Sequence, residues 1–172
     1  DQLGQENDRL RRLLDLRERL QVPAQAAQIL YDTADPYSRR VMVDRGQDAG
    51  VLPGSPVLDG AGILGQVTRV YPFVSEVTLL TDREQAIPVL NNRTSARGVA
   101  YGDPVASHGG GIELRFVSAN ADSQEGDQLT TSGLDGVYPP GLPVARVVRV
   151  ARRPDSAFAR IYCDPAAAIQ GA

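Results

Sequence analysis

At 172 residues, 42% apolar and with a net charge of −3, the chain can bury one moderate core or two small ones, which excludes a disordered or fibrous protein. Its 18 basic residues are all arginine and lie scattered among 21 acids, a dispersal that predicts no basic face of the kind nucleic-acid binding requires and argues against a nucleic-acid partner. No run approaches about 18 consecutive apolar residues and no tripartite export signal is visible, so these residues are expected to hold neither a membrane span nor a secretion address. Because Asp1 opens what reads as the middle of a helix, the sequence is expected to be a piece of a longer protein, with any anchor upstream.

From Asp1 to about Val22 the chain has no Gly after Gly4 and no Pro until Pro23, and it is rich in Leu, Arg, Glu and Asp; this predicts a helix. Leu3, Asn7, Leu10 and Leu14 are spaced by four, three and four residues, which is the seam of a coiled coil with Asn at a register-fixing position. The seam continues poorly at Arg17, and Leu13, Leu16 and Leu20 fall outside it. An amphipathic helix packed on its own domain is therefore the alternative.

Short strands and turns follow. "QILYD", "SRRVMVDRG", "SPVLDGAGILGQVTRV", "SEVTLLTD" and "AIPVLN" give runs rich in Val, Ile, Leu and Thr bounded by Gly, Pro, Asp or Asn. Asp59-Gly60 predicts a hairpin whose turn uses positive φ at the glycine. Further on, Ile112, Leu114 and Phe116 alternate with Glu113 and Arg115, the pattern of a strand with one wet face. Cys163 stands alone and reads as a packed thiol, with no partner for a disulfide.

One phrase occurs twice: "GVLPGSPV" at residues 50–57 and "GVYPPGLPV" at 136–144. Laying Gly50–Asp82 over Gly136–Asp164 aligns "QVTRV" with "RVVRV" and predicts a duplicated turn, strand, loop, strand unit. The expected layout is a helix over 1–22 and two small β-barrels over 26–92 and 93–168. The C-terminal strand is expected to pack back on the first barrel, because domains this small are marginal alone.

The stretches "ENDRLRRLLDL", "VMVDRGQDAGVLPGSPVLDGAGILGQVTRVYPFVSEVTLLTDREQAIPV" and "EGDQLTTSGLDGVYPPGLPVARV" resemble the extracytoplasmic region of the MreC family of bacterial rod shape-determining proteins. The resemblance covers nearly the whole chain and departs from the family pattern at Ala145, where Gly is usual, and at the "YPFVS" turn. It implies a mainly β protein, with a coiled-coil helix followed by two six-stranded barrels of chymotrypsin-like topology and no protease activity. It also implies a periplasmic scaffold of the cell-elongation machinery, anchored in the inner membrane by a single upstream helix. The implied partners are a class B penicillin-binding transpeptidase, MreD, the MreB filament and the protein itself, as a dimer and by extension a filament.

Catalysis is tested by chemistry alone. His108, the only histidine, lies in "SHGGG", yet no G-x-S-x-G elbow occurs, and Ser132 falls in the same predicted domain as His108 rather than across a cleft from it. One His and one Cys make no metal cluster, and the glycines between Gly46 and Gly65 open strands rather than helices, so no phosphate loop is expected. No catalytic residue, cofactor or metal is therefore expected, and a degenerate barrel with residual hydrolase activity is disfavoured. An efflux-type periplasmic adaptor is also disfavoured, because it needs a helical hairpin between β-segments. A binding surface remains, with Leu3, Asn7, Leu10 and Leu14 for self-association. Tyr37, Tyr71, Phe73 and Tyr138, each beside a proline-containing turn, are the candidate partner anchors.

Overall fold

The structure is a computed structural model that describes residues 2–19, 24–32, 39–104, 111–118, 122–151 and 158–167. Among the described residues a helix, α1 (Gln2–Arg19), leads into eleven strands: β1 (Ile29–Asp32), β2 (Arg40–Val43), β3 (Pro56–Leu58), β4 (Ile63–Val70), β5 (Ser75–Leu79), β6 (Ala86–Asn91), β7 (Arg97–Gly102), β8 (Ile112–Ser118), β9 (Gln128–Thr131), β10 (Pro143–Ala151) and β11 (Phe158–Pro165). β1 to β5 form a five-stranded antiparallel sheet in the order β1-β2-β5-β4-β3, while β6 to β11 close into a barrel in the order β10-β11-β8-β7-β6-β9.

Two of the sequence expectations change here. The first body is an open five-stranded sheet among the described residues rather than a closed six-stranded barrel. The boundary also moves: β6, placed with the first body by the 26–92 range, pairs with β7 and β9 inside the closed barrel. Its alternate residues Ile87 and Val89 are each 1% exposed, and these apolar side chains fill the barrel core. Apolar content marked residues 86–91 as a strand but held no information about which sheet it would join.

The repeated Gly/Pro phrase does build a repeated turn. Gly50 and Gly54 in the first copy, and Gly136 and Gly141 in the second, all take positive φ, between +70° and +91°. The bonding repeats as well. Gly54 N donates to Val67 O (2.8 Å) and Val67 N to Ser55 O (2.9 Å); Gly141 N donates to Thr131 O and Thr131 N to Leu142 O (2.9 Å each). The copies differ afterwards, since the first inserts β3 and a hairpin before its long strand β4 and the second runs straight into β10. That hairpin closes differently from expectation: Gly60 is not among the glycines at positive φ, and the Asp59 carboxylate caps the turn instead, its Oδ1 accepting from Ala61 N (2.8 Å) and Gly62 N (3.0 Å).

In β8, Ile112 and Leu114 point inward and Arg115 outward, as the alternation predicts, but Val117 is also buried. A bulge opposite Ala159–Ile161 shifts the pairing and inverts the parity after Leu114. Cys163 is fully buried, and burial beside Asp164 pushes its thiol up to about 12, so it packs as a small apolar group.

Two cores result, and the chain sews them together. Val41, Val43, Leu64, Val67, Val77 and Leu79 form the core of the sheet, joined there by Ala167 from beyond β11. Ile63 and Leu80, from the sheet's own strands and turn, belong instead to the barrel core. Asp82 ties the connection: its Oδ2 accepts from Arg39 N (2.8 Å) and its Oδ1 from Glu84 N (2.9 Å), while the Arg39 guanidinium donates to Pro104 O (Nε 3.1 Å, Nη2 2.6 Å).

Strand pairing also gathers arginines that the sequence scatters. Arg97, Arg115, Arg146, Arg149 and Arg160 are dispersed in sequence, yet all stand exposed on β7, β8, β10 and β11, which are neighbours in the barrel wall.

Candidate interaction surface

The surface starts from one glycine. Gln47 N donates to Tyr71 O (2.8 Å) and Asp48 N to Pro72 O (3.0 Å), docking the 3-10 turn Gln47–Ala49 against the loop between β4 and β5. A Cβ on Gly46 would stand 2.6 Å from Val74 N and 2.8 Å from Phe73 C, so only glycine permits this approach. The docking holds the loop by its backbone and leaves its side chains outside, with Tyr71 42% and Phe73 72% exposed.

The same end of the sheet fixes the lead into β1. Asp44 N donates to Gln28 O (3.0 Å), Gln28 N donates to Asp44 Oδ1 (2.7 Å), and Gln25 Nε2 donates to Ala49 O (2.9 Å). β1 then pairs only with β2 among the described strands, and all four of its residues are exposed, Tyr31 at 59%. Ile29, Leu30 and Tyr31 thus form an apolar strand at an open sheet edge, where unpaired backbone groups can accept an added strand.

The anchors inferred from sequence fare unequally. Tyr71 and Phe73 are exposed as an anchor requires. Tyr138 is not: it is 4% exposed, packs in the barrel core with its hydroxyl 3.5 Å from Gly65 O, and burial raises its phenol well above the usual tyrosine range. Proline neighbours signalled a turn correctly, but the turn folds Tyr138 inward between sheet and barrel, so it is a core residue and not a partner anchor. Tyr37 lies outside the described residues. In α1, Leu3 is 82% exposed, Leu10 is half-exposed and Asn7 is exposed, so the protein's own β bodies leave these three seam positions uncovered. Leu14 falls in α1, with its side chain outside the described set. Sequence reasoning missed Ile29, Leu30, Tyr31, Leu52, Leu134 and Val137. Their apolar runs were legible, whereas edge position depends on pairing between distant segments.

The two buried carboxylates among the described residues, Asp82 and Asp127, are both engaged in bonds that hold the fold. Asp127 is buried and accepts from Asn91 Nδ2 (2.9 Å), Gln124 N (2.9 Å) and Arg93 Nε and Nη2 (2.8 and 3.0 Å). Arg93 also binds Asp122, so these arginine bonds hold the Asp127 carboxyl well below the usual carboxylate range. Ser132 Oγ accepts from Leu134 N (3.4 Å), and His108 lies outside the described residues. Among the described residues no group of three or more His, Cys, Asp or Glu side chains could hold a metal ion.

Fold and surface define a β-sheet and barrel protein with an open apolar edge and an uncovered helix stripe, features suited to holding other chains. The chain belongs to the family described as "Rod shape-determining protein MreC, barrel core", whose model matches residues 29–172. It is 37% identical to the cell shape-determining protein MreC of Escherichia coli (strain K12) over 98% of this chain and 45% of that protein. It therefore spans somewhat under half the length of that relative. A solved MreC structure superposes with a TM-score of 0.90 at 36% identity, covering 100% of this chain and 96% of that one. A solved complex between Penicillin-Binding Protein (PBP2) and MreC from Helicobacter pylori also matches, at 15% identity and a TM-score of 0.59 over 81% of this chain and 87% of that chain; at that identity the likeness is one of fold.

Proposed function

We propose that this chain is the extracytoplasmic part of a non-enzymatic scaffold for rod-shaped cell elongation, which pairs with itself and holds a class B penicillin-binding transpeptidase. The observation that carries the reading is the family match across residues 29–172 together with the superposition on a solved MreC structure. The complex of the Helicobacter pylori relative with its PBP2 supports the choice of partner. On this reading an inner-membrane anchor precedes α1, MreD and MreB join the same assembly, and α1 forms a parallel coiled coil through Leu3, Asn7, Leu10 and Leu14. Coupling two bodies in this way raises the local concentration of whatever each one holds. The open edge of β1 with Tyr71 and Phe73 is the transpeptidase contact, since apolar aromatic anchors beside an unpaired strand offer both pocket-filling groups and backbone bonds.

Two measurements test it. Removing residues 2–19 should lower the mass found by light scattering from dimer to monomer; an unchanged mass would move self-association to the β bodies. Tyr31→Ala combined with Phe73→Ala should weaken binding to the periplasmic part of the transpeptidase by tenfold or more, about 1.4 kcal/mol. Unaltered affinity would remove this edge from the contact.

A further inference from the structure

The barrel carries a second surface of different chemistry. β10, β11, β8 and β7 are consecutive in the wall, and their registers place Arg149 beside Tyr162, Tyr162 beside Glu113, and Glu113 beside Tyr101. On the neighbouring row, Arg160 lies across from Ala151 on one side and from the bulged Arg115–Phe116 segment on the other, and Arg115 sits opposite Val99, two residues from Arg97. Arg149, Arg160, Arg115 and Arg97 therefore cross four strands as a stripe about 14 Å wide, with Arg146 further along β10. Five arginines against Glu113 and Asp164 give this face a formal charge of +3 in a chain of net −3, leaving −6 on the rest.

These cations are available. Only Arg115 has an acid partner, Glu113 at 3.4 Å; Arg97, Arg146, Arg149 and Arg160 form no ion pair among the described residues. Two guanidiniums are steadied over rings, Arg115 at 4.6 Å from the Tyr101 centroid and Arg149 at 5.7 Å from that of Tyr162. Tyr162 is itself buried, and Arg115 already occupies a face of Tyr101, so the rings are poorly placed to stack nucleic-acid bases. Among the described side chains of β7, β8, β10 and β11, the exposed ones around the arginines include no large apolar residue.

We propose that this arginine face of the barrel rests against an anionic phospholipid headgroup layer. A row of guanidiniums crossing four strands, four of the five without an ion-pair partner among the described residues, matches the repeated phosphates of a headgroup surface. The inference rests on the reading that the protein works beside a membrane; contact through guanidiniums alone is weak, and a nearby anchor would make it effective by confining the barrel to the surface.

The test is flotation of the soluble chain with vesicles of phosphatidylethanolamine containing about 25% phosphatidylglycerol, against pure phosphatidylcholine. Binding is expected only to the anionic vesicles, and should fall steeply between about 50 and 500 mM NaCl. Arg149→Gln with Arg160→Gln should lower the partition coefficient roughly tenfold or more, whereas Arg69→Gln on the sheet should not change it. Equal binding to neutral vesicles, no binding to either, or an unaffected double variant would overturn the proposal. So would capture by polyglutamate without capture by anionic vesicles, which would mark an acidic protein as the occupant. Transpeptidase binding measured on the same preparations separates this result from the scaffold reading, because the double variant leaves the β1 edge intact.

Discussion

Gly102→Ala is expected to destabilise the protein by about 3 kcal/mol or more, lowering the melting temperature by roughly 6–12 °C for a chain of this size. Gly102 ends β7 where the barrel meets the Asp82 turn, and an added Cβ would run into the Asp82 carbonyl oxygen while standing 2.6 Å from both Asp82 C and Leu80 O. Every one of these atoms is backbone, so no side chain can swing away to relieve the clash. The same turn carries the Asp82 bonds to Arg39 N and Glu84 N, so displacing it loosens the junction between sheet and barrel. Gly126→Ala supplies the comparison. Gly126 has φ +92° but nothing within 4 Å of its missing Cβ, so its cost should be the backbone term alone, about 1–2 kcal/mol. Equal losses in the two variants, measured by urea denaturation, would show that the close approach at Gly102 is not what constrains the junction.

The second large effect is expected at Asp127. Replacing it with alanine strips acceptors from Asn91 Nδ2, Gln124 N and the Arg93 guanidinium together, with an expected loss of about 2–3 kcal/mol at neutral pH. The pH dependence has a definite sign. The carboxyl's folded pKa lies below its unfolded value, so between the two the unfolded chain binds more protons than the native one. The stabilisation is complete above the unfolded value of about 3.9 and is lost as pH falls toward the folded one. The gap between wild type and Asp127→Ala should accordingly be constant from pH 7 to about pH 5 and narrow below about pH 4. A gap that ignores pH throughout would mean that the shape of the side chain matters there and its charge does not.

Local structure was largely legible in the sequence, and the reason is that its signals are short-range. The Gly/Pro phrase fixed a turn twice because positive φ at Gly50, Gly54, Gly136 and Gly141 is written in the residues that adopt it. The inward positions Ile112 and Leu114 followed from alternation, until a bulge set by the partner strand reversed it. What could not be read depends on which distant strands meet. Composition cannot assign β6 to the barrel, leave β1 at an edge, or turn Tyr138 inward, since each outcome is decided by a pairing or contact across tens of residues. The arginines make the same point most sharply: spread from residue 97 to residue 160, they looked dispersed in one dimension and become neighbours once β11 inserts between β8 and β10.

Ala167 carries a consequence for how the chain comes to be folded. It completes a hydrophobic cluster whose other buried members lie between Val41 and Leu79, nearly ninety residues earlier. A ribosome releasing this sequence in order exposes the sheet long before the alanine that caps it has been made. Until residue 167 arrives the sheet cluster lacks one of its buried members, and long-range closure of this kind slows folding. Newly made protein is therefore most prone to aberrant strand pairing during that interval, when quality-control factors have the most to guard.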